Sequence, residues 1–297
     1  MVIYKRIGIT VKSGINRKSE AVQTVLKILR KHDADIRIDT DRIGDLACVN
    51  GLPAMHNMDG DIDLLIVIGG DGTILRTVRE MRDFSIPILS INRGTVGFLS
   101  EIQLDEAATL LPQLLRGGGV LEERSLLHVT AHRKDGEIFS GYALNEAVIA
   151  QGTIARLVSL TTSVNDEELT SFHADGLILS SPTGSTAYSL AAGGPVVHPG
   201  IAAMILTPIN PYSFSQKPLV IPGDAVVRVD VHTKQNKFRD TEVVLTLDGQ
   251  VCISLQCNDS IQIRVPPQKI QFLRRKKDTF FRTLRAKLKW GERVDEE

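Results

Sequence analysis

The chain has 297 residues, enough for two domains, or one large one, with a sizeable core. Its 35 Lys and Arg balance 35 Asp and Glu, so nothing points to nucleic acid as the main partner. No stretch reaches the ~18 apolar residues of a membrane span, and the opening MVIYKRIGIT lacks the apolar run of a signal peptide. The expected location is therefore cytoplasmic, with no membrane partner. Cys48, Cys252 and Cys257 are too sparse for a disulfide framework or a zinc site.

Strand and helix patterns alternate through the first third. Residues 7–11 read as a strand. Residues 18–31 read as a helix with Ala21, Val22, Val25, Leu26 and Leu29 on one face. A short strand over 35–39 follows. Then comes Leu64-Leu65-Ile66-Val67-Ile68, an unbroken apolar run typical of a strand covered on both faces. A helix over 73–81, a buried strand over 86–91 and a helix over 104–115 complete this part, before the breaker Arg116-Gly117-Gly118-Gly119. That order implies a parallel, doubly wound sheet, an N-terminal Rossmann-like α/β domain over 1–119.

Strand-like runs dominate afterwards, at 126–131, 138–149, 157–164, 177–179, 225–231, 243–247 and 261–265. Turn pairs such as Asp135-Gly136 and Asn165-Asp166 separate several of them, so a β-rich, sandwich-like domain is expected over 120–273. His128 and His132 share one strand face there and are not read as a metal site. The tail, 274–297, carries Arg274, Arg275, Lys276, Lys277, Arg282, Arg285, Lys287 and Lys289. Phe280, Phe281, Leu284 and Leu288 recur at helical spacing within it. A basic helix that docks its apolar stripe on the body or on another subunit is the expectation. A membrane or RNA anchor is the alternative.

The chemistry-bearing feature of the first domain is Gly69-Gly70-Asp71-Gly72-Thr73, between the apolar strand and a helix. Glycines let the backbone approach phosphate oxygens closely, and the helix start adds partial positive charge. Thr73 is placed to cap the helix or bond a phosphate. Asp71 opposes a phosphate's charge, which suits a base for an attacking hydroxyl or a ligand of magnesium. A plain Gly-Asp turn is the bland alternative. Neither a G-x-x-x-x-G-K-[ST] P-loop nor a G-x-G-x-x-G after the first strand is present.

Three further segments narrow the acceptor. Asn92-Arg93-Gly94-Thr95-Val96-Gly97-Phe98-Leu99 follows a buried strand, at the end where open α/β sheets bind ligands. Asn145-Glu146 pairs an amide with a carboxylate, suited to a ribose diol or a polar ring edge. The run from Ser180 to Pro195 packs hydroxyls and glycines around Tyr188. Its hydroxyls can bond a sugar or base edge, and Tyr188 can line a base-sized slot.

Taken together, these segments resemble the NAD kinase family over nearly the whole chain, from about Ile7 to Trp290. The glycine loop is shared with lipid kinases and 6-phosphofructokinases. The run SPTGSTAYSLAAGGP is specific to the family, and Lys217-Pro218-Leu219-Val220-Ile221 and Leu247-Asp248-Gly249-Gln250 also fit. Lys217 departs from the family's usual arginine and loses its fork. The resemblance implies an α/β domain, a β-rich domain and an active site between them. It implies transfer of the γ-phosphoryl group of ATP to the adenosine-ribose 2′-hydroxyl of NAD, with Mg²⁺ or another divalent metal accompanying ATP, in a homo-oligomer. Asp71 takes the role of base, with Gly72 beside it. Asn145 and Glu146 contact the dinucleotide, and Asp175 binds its nicotinamide half. Thr186, Ala187 and Tyr188 line the base pocket, with Thr183, Ser189, Leu190 and Ala191 around them. Arg76, Phe98, Arg156, His173 and Gln250 are further ligand-binding positions. A lipid kinase sharing only the glycine loop, and a silent dinucleotide sensor, are the competing readings. The polar Thr183–Tyr188 stretch speaks against a lipid channel, and Asp71 speaks against a sensor.

Overall fold

The computed structural model describes residues 3–12, 18–55, 58, 61–94, 97–152, 157–232, 243–276 and 280–289. In chain order the first elements are β1 (Arg6–Val11), α1 (Lys18–Arg30), β2 (Asp35–Ile38), α2 (Thr40–Ile43), β3 (Leu64–Ile68) and α3 (Asp71–Glu80). There follow β4 (Ile88–Asn92), β5 (Ile102–Gln103), α4 (Ala107–Leu115) and β6 (Val120–Ser125). The middle of the chain contributes β7 (Leu127–Arg133), β8 (Gly136–Ala143), β9 (Glu146–Gln151), β10 (Val158–Val164), β11 (Glu167–Ala174) and β12 (Gly176–Ser180). The remainder is α5 (Tyr188–Ala191), β13 (Ala203–Ile209), β14 (Leu219–Pro222), β15 (Val226–His232), β16 (Val243–Leu247), β17 (Val251–Leu255), β18 (Ser260–Arg264), β19 (Lys269–Arg274) and α6 (Phe280–Leu288).

Two compact units divide the chain: Met1–Glu123 with Ile270–Glu297, and Arg124–Lys269. The first is an α/β unit. Its sheet runs β2-β1-β3-β4-β19-β6, with β5 also on β4. The pairs among β1, β2, β3, β4 and β5, and β4 with β19, are parallel. Strand β3 is buried along its whole length, as its apolar run requires. Helix α1 buries Ala21, Val22, Val25, Leu26, Ile28 and Leu29. That stripe packs in one core with Ile7, Ile9, Leu64, Ile66 and Leu111.

The second unit is a sandwich of two antiparallel sheets, β11-β10-β15-β18-β7-β8 and β14-β13-β12-β9-β16-β17. Alternate residues of both sheets, among them Leu127, Val129, Leu160, Val229 and Ile261 against Ile149, Leu177, Leu206 and Leu245, form one core. The fold is therefore the α/β-plus-β-rich arrangement expected.

Several local expectations are corrected. Residues 138–149 are two strands, because Leu144 and Asn145 turn away from pairing to give their amides to Asp248. Strands β5, β6, β11, β13, β14, β17 and β19 are not legible in the sequence. In β13, Pro208 breaks the apolar run, but it lies beyond the last β13–β14 pair, Leu206↔Leu219, where a missing N–H costs no bond to β14. Helix α3 begins at Asp71, two residues earlier than expected, with Gly70 as its cap. Thr73 is thus inside the first turn and does not cap.

The tail also differs. Arg274 closes β19, whose alternation buries Ile270, Phe272 and Arg274 itself. Phe272 sits beside Ile88 of β4. In α6 only Leu284 is buried, while Phe281 is 55% and Leu288 36% exposed. The apolar stripe is consequently covered at one position rather than along its length. The sparse cysteines are free, and Cys252 and Cys257 are exposed. Among the described residues no helix is long and apolar enough to cross a membrane.

Candidate active site

In the α/β unit, β3 and β4 run parallel in register, with Ile68 beside Ile91. The loops that leave their C-terminal ends therefore emerge side by side. One is the glycine loop and the other carries Gly97, Phe98 and Leu99. Gly69 N–H bonds Ile91 O at 2.9 Å, which fixes the first loop to the second strand. Asp71, the first helical residue, turns its carboxylate onto the neighbouring loop. It accepts Phe98 N–H at 2.9 Å, Leu99 N–H at 3.3 Å and the Ser100 hydroxyl at 3.2 Å. A β-carbon at Gly97 would overlap that carboxylate, so any side chain there would have to push Asp71 out of this position.

A carboxylate offers about four lone-pair sites. The three donors orient Asp71 and leave room for one further hydrogen bond, such as a substrate hydroxyl would make. Gly72 is exposed beside it and Phe98 is half-buried. Arg76 lies one turn on. Its Nη2 donates to Val11 O at 3.1 Å, and its Nε is buried without a partner. Burial and the neighbouring Arg42 hold its pKa below the ordinary arginine value.

In the sandwich unit, Glu146 opens β9. Asp248, in the tight turn between β16 and β17, accepts three consecutive amides: Leu144 at 2.9 Å, Asn145 at 2.8 Å and Glu146 at 3.0 Å. Asp248 N–H returns a bond to Glu146 O at 3.0 Å. Asp248 takes φ +49, which the Asp-Gly turn favours. In the sequence this residue stands out only within the Leu247-Asp248-Gly249-Gln250 segment, and the Asp-Gly pair is the signal that marks it.

Glu146 is 7% exposed, and its Oε2 has no hydrogen-bond partner. Its environment pushes its carboxyl up to about 8. Burial is the main cause, Asp248 adds repulsion, and the Tyr188 backbone N–H partly offsets both. At neutral pH this group is mostly protonated, and a hydroxyl-rich ligand is what would satisfy it.

The hydroxyl-rich run lies against the same place, and its internal bonds correct a simple expectation. Most of its hydroxyls brace the loop. Ser181 Oγ donates to Leu144 O at 2.5 Å, and Ser180 Oγ reaches Asn145 O at 3.2 Å. Ser185 Oγ donates to Pro182 O and accepts Val197 N–H. Ser189, fully buried, bonds the Thr207 hydroxyl at 2.9 Å, so it does not face a ligand. Gly184 packs so tightly on Asn145 O that a side chain would collide. Thr183 is buried, with Arg124 Nη1 at 3.4 Å.

What the loop presents outward is Tyr188, 46% exposed, followed by Ala191. Thr186, Ala187 and Leu190 are half-buried. At the other end of β12, Asp175 accepts Asn210 Nδ2 at 2.9 Å. Exposed His173 uses its carbonyl to accept Tyr212 N–H at 2.7 Å. Gln250 is exposed on the Asp248 turn. Arg156 lies outside the described residues.

The structure thus draws the expected positions into three groups. Asp71, Gly72 and Phe98 stand together in the α/β unit. Asn145, Glu146 and Tyr188 stand together in the sandwich, and His173 and Asp175 form a neighbouring pair. Fold and site together define a two-domain phosphotransferase built on a Gly-Gly-Asp-Gly-Thr loop.

Comparison with known proteins narrows the class. The ATP-NAD kinase N-terminal domain matches residues 7–119, and the ATP-NAD kinase C-terminal domain matches residues 144–275. An NAD kinase of Syntrophotalea carbinolica is 36% identical over 97% of this chain and 100% of its own length. An NAD kinase of Geotalea daltonii is 41% identical over 78% of this chain and 80% of its own. Among solved structures, yeast NADH kinase complexed with NADH superposes with a TM-score of 0.85 at 26% identity, covering 98% of this chain and 90% of that one. An Archaeoglobus fulgidus NAD kinase in complex with ATP shares the fold, with a TM-score of 0.71 at 24% identity over 96% of this chain and 98% of that one. The chain belongs to the NAD kinase family.

Proposed function

We propose that this protein transfers the γ-phosphoryl group of ATP to the adenosine-ribose 2′-hydroxyl of NAD, giving NADP and ADP. The observation that carries the acceptor is Glu146, a buried carboxyl with one oxygen unpartnered, set under a turn that presents Tyr188. A ribose hydroxyl supplies that missing partner, and the exposed Tyr188 ring offers a stacking face for a base. Asn145 adds an amide beside it. Asp175, Thr183, Thr186, Ala187, Leu190, Ala191, His173, Gln250, Arg156, Arg76 and Phe98 are the further ligand-binding positions in this reading.

Asp71 is the base. Its three protein donors hold the carboxylate in one orientation, and the remaining lone pair takes the proton of the 2′-hydroxyl. As the new O–P bond forms, the bond to the β-phosphate oxygen breaks and ADP leaves with its electron pair. Catalysis is mainly positioning and charge neutralisation. A hard cation suits the phosphate oxygens of ATP. Asp71, the carboxylate of the loop, is occupied by its three donors and the hydroxyl it deprotonates, so magnesium would take its ligands mainly from phosphates and water. When bound with ATP, magnesium neutralises the triphosphate. The enzyme is read as cytoplasmic and homo-oligomeric.

The test is direct. Purified protein with Mg-ATP and NAD is coupled to a strictly NADP-dependent dehydrogenase, beside a parallel reaction with a diacylglycerol acceptor. NADP formation is the expected result. Phosphorylated lipid without NADP, or no turnover of either, overturns the reading.

A further inference from the structure

The loop that orients Asp71 is itself held from behind by a residue of the last strand. Arg274 is 3% exposed on its side chain, and its partner Glu101 is 5% exposed. Arg274 Nη1 donates to Leu99 O at 2.9 Å and to Glu101 Oε2 at 3.1 Å. Its Nε donates to Glu122 Oε2 at 2.7 Å. The guanidinium also lies over the Phe272 ring, 5.2 Å from its centroid. Glu101 is fixed in turn by Arg275, whose N–H bonds Oε1 at 2.8 Å. The Ser90 hydroxyl is the second donor to Leu99 O, at 3.0 Å.

Leu99 therefore faces two ways. Its carbonyl is gripped by Arg274 and Ser90, and its N–H points to Asp71. Burying an arginine and a glutamate is costly unless both are paired and their remaining donors and acceptors are used. Here a planar fork reaches a backbone carbonyl and two carboxylates from separate nitrogens, a spread that the single nitrogen of a lysine does not match.

We propose that Arg274 is a positioning residue for Asp71, acting through the Leu99 backbone; this rests on the reading of Asp71 as base. The strand that returns to the α/β sheet after the sandwich thereby sets the geometry of the phosphate loop. Arg274 stands about two-thirds of the chain length after Asp71 in sequence, and no local motif links them.

The experiment uses Arg274→Lys, which keeps a positive charge against Glu101, in wild-type and Asp71→Asn backgrounds. In the ligand-free protein, amide exchange at Phe98 and Leu99 is expected to accelerate about tenfold or more. With Mg-ATP and NAD, kcat is expected to fall about tenfold or more while KM for NAD stays within about twofold. In the Asp71→Asn background the same change should alter kcat by less than about twofold, because the residue it positions is already gone. Ser90→Ala, which removes the other donor to Leu99 O, is expected to show a smaller change of the same kind and serves if Arg274→Lys does not fold. Unchanged exchange, unchanged kcat, or an equal loss in both backgrounds overturns the proposal. A wild-type protein without NAD kinase activity fails the proposed function instead, and the exchange measurement still decides the clamp.

Discussion

Replacing Glu146 by glutamine tests the electrostatics of the site against its role. The carboxyl titrates at about 8 in the folded protein, against 4.5 for the ordinary group. At ~1.4 kcal/mol per pH unit, keeping it ionised in the fold costs up to about 5 kcal/mol. The sign follows from the raised value. The folded protein holds a proton that the unfolded chain has released, so stability is fully present below pH 4.5 and is lost as pH rises to about 8, where the loss levels off. Glutamine is nearly isosteric and does not titrate. Its carbonyl can keep the Tyr188 N–H bond, but its amide enters a place where Oε2 had no partner, costing about 1–3 kcal/mol. The variant should therefore be slightly less stable than wild type at pH 5 and more stable by about 2–4 kcal/mol at pH 8. Urea unfolding at pH 5, 6, 7 and 8 measures the difference, which should grow with pH. The same variant should lose activity by raising KM for NAD. A stability difference that stays flat across this range refutes the assignment of the raised value to Glu146.

Asp71→Asn should retain NAD binding and lose ~10²–10⁴-fold in kcat, as removal of a positioned base does, measured in the coupled assay. Tyr188→Ala should leave the melting temperature near wild type, since the ring is 46% exposed, and weaken NAD binding by roughly 1–3 kcal/mol in calorimetry. Gly97→Ala should lower kcat by at least tenfold while most of the fold's stability is kept, because the added carbon displaces the Asp71 carboxylate rather than a core side chain. A normal kcat in that variant would show that Asp71 need not sit where these three donors hold it.

The α/β half was legible because its signals are local. A five-residue apolar run, a glycine loop and an amphipathic helix each state their structure within a short window. Tyr188 and Glu146 could be singled out by residue type and by likeness to a family. Their environment could not be read in this way. Glu146 owes its raised carboxyl to burial and to Asp248, about a hundred residues further along, and the same aspartate splits a run that reads as one strand.

The serines of the SPTGSTAYSLAAGGP run show the same limit. By composition they are all candidate sugar ligands. Packing decides that Ser181, Ser185 and Ser189 brace the loop, and Tyr188 is left facing out. Helical spacing in the tail predicts a stripe, but burial selects Leu284 alone. Arg274 counts as one more cation of a basic tail until β19 pairs with β4 and carries it to Glu101 and Leu99. Sequence by itself determined the periodicities, the phosphate loop and the family. Tertiary structure decided which polar groups are buried and whom they meet, because those energies depend on desolvation and on partners that only the folded chain brings together.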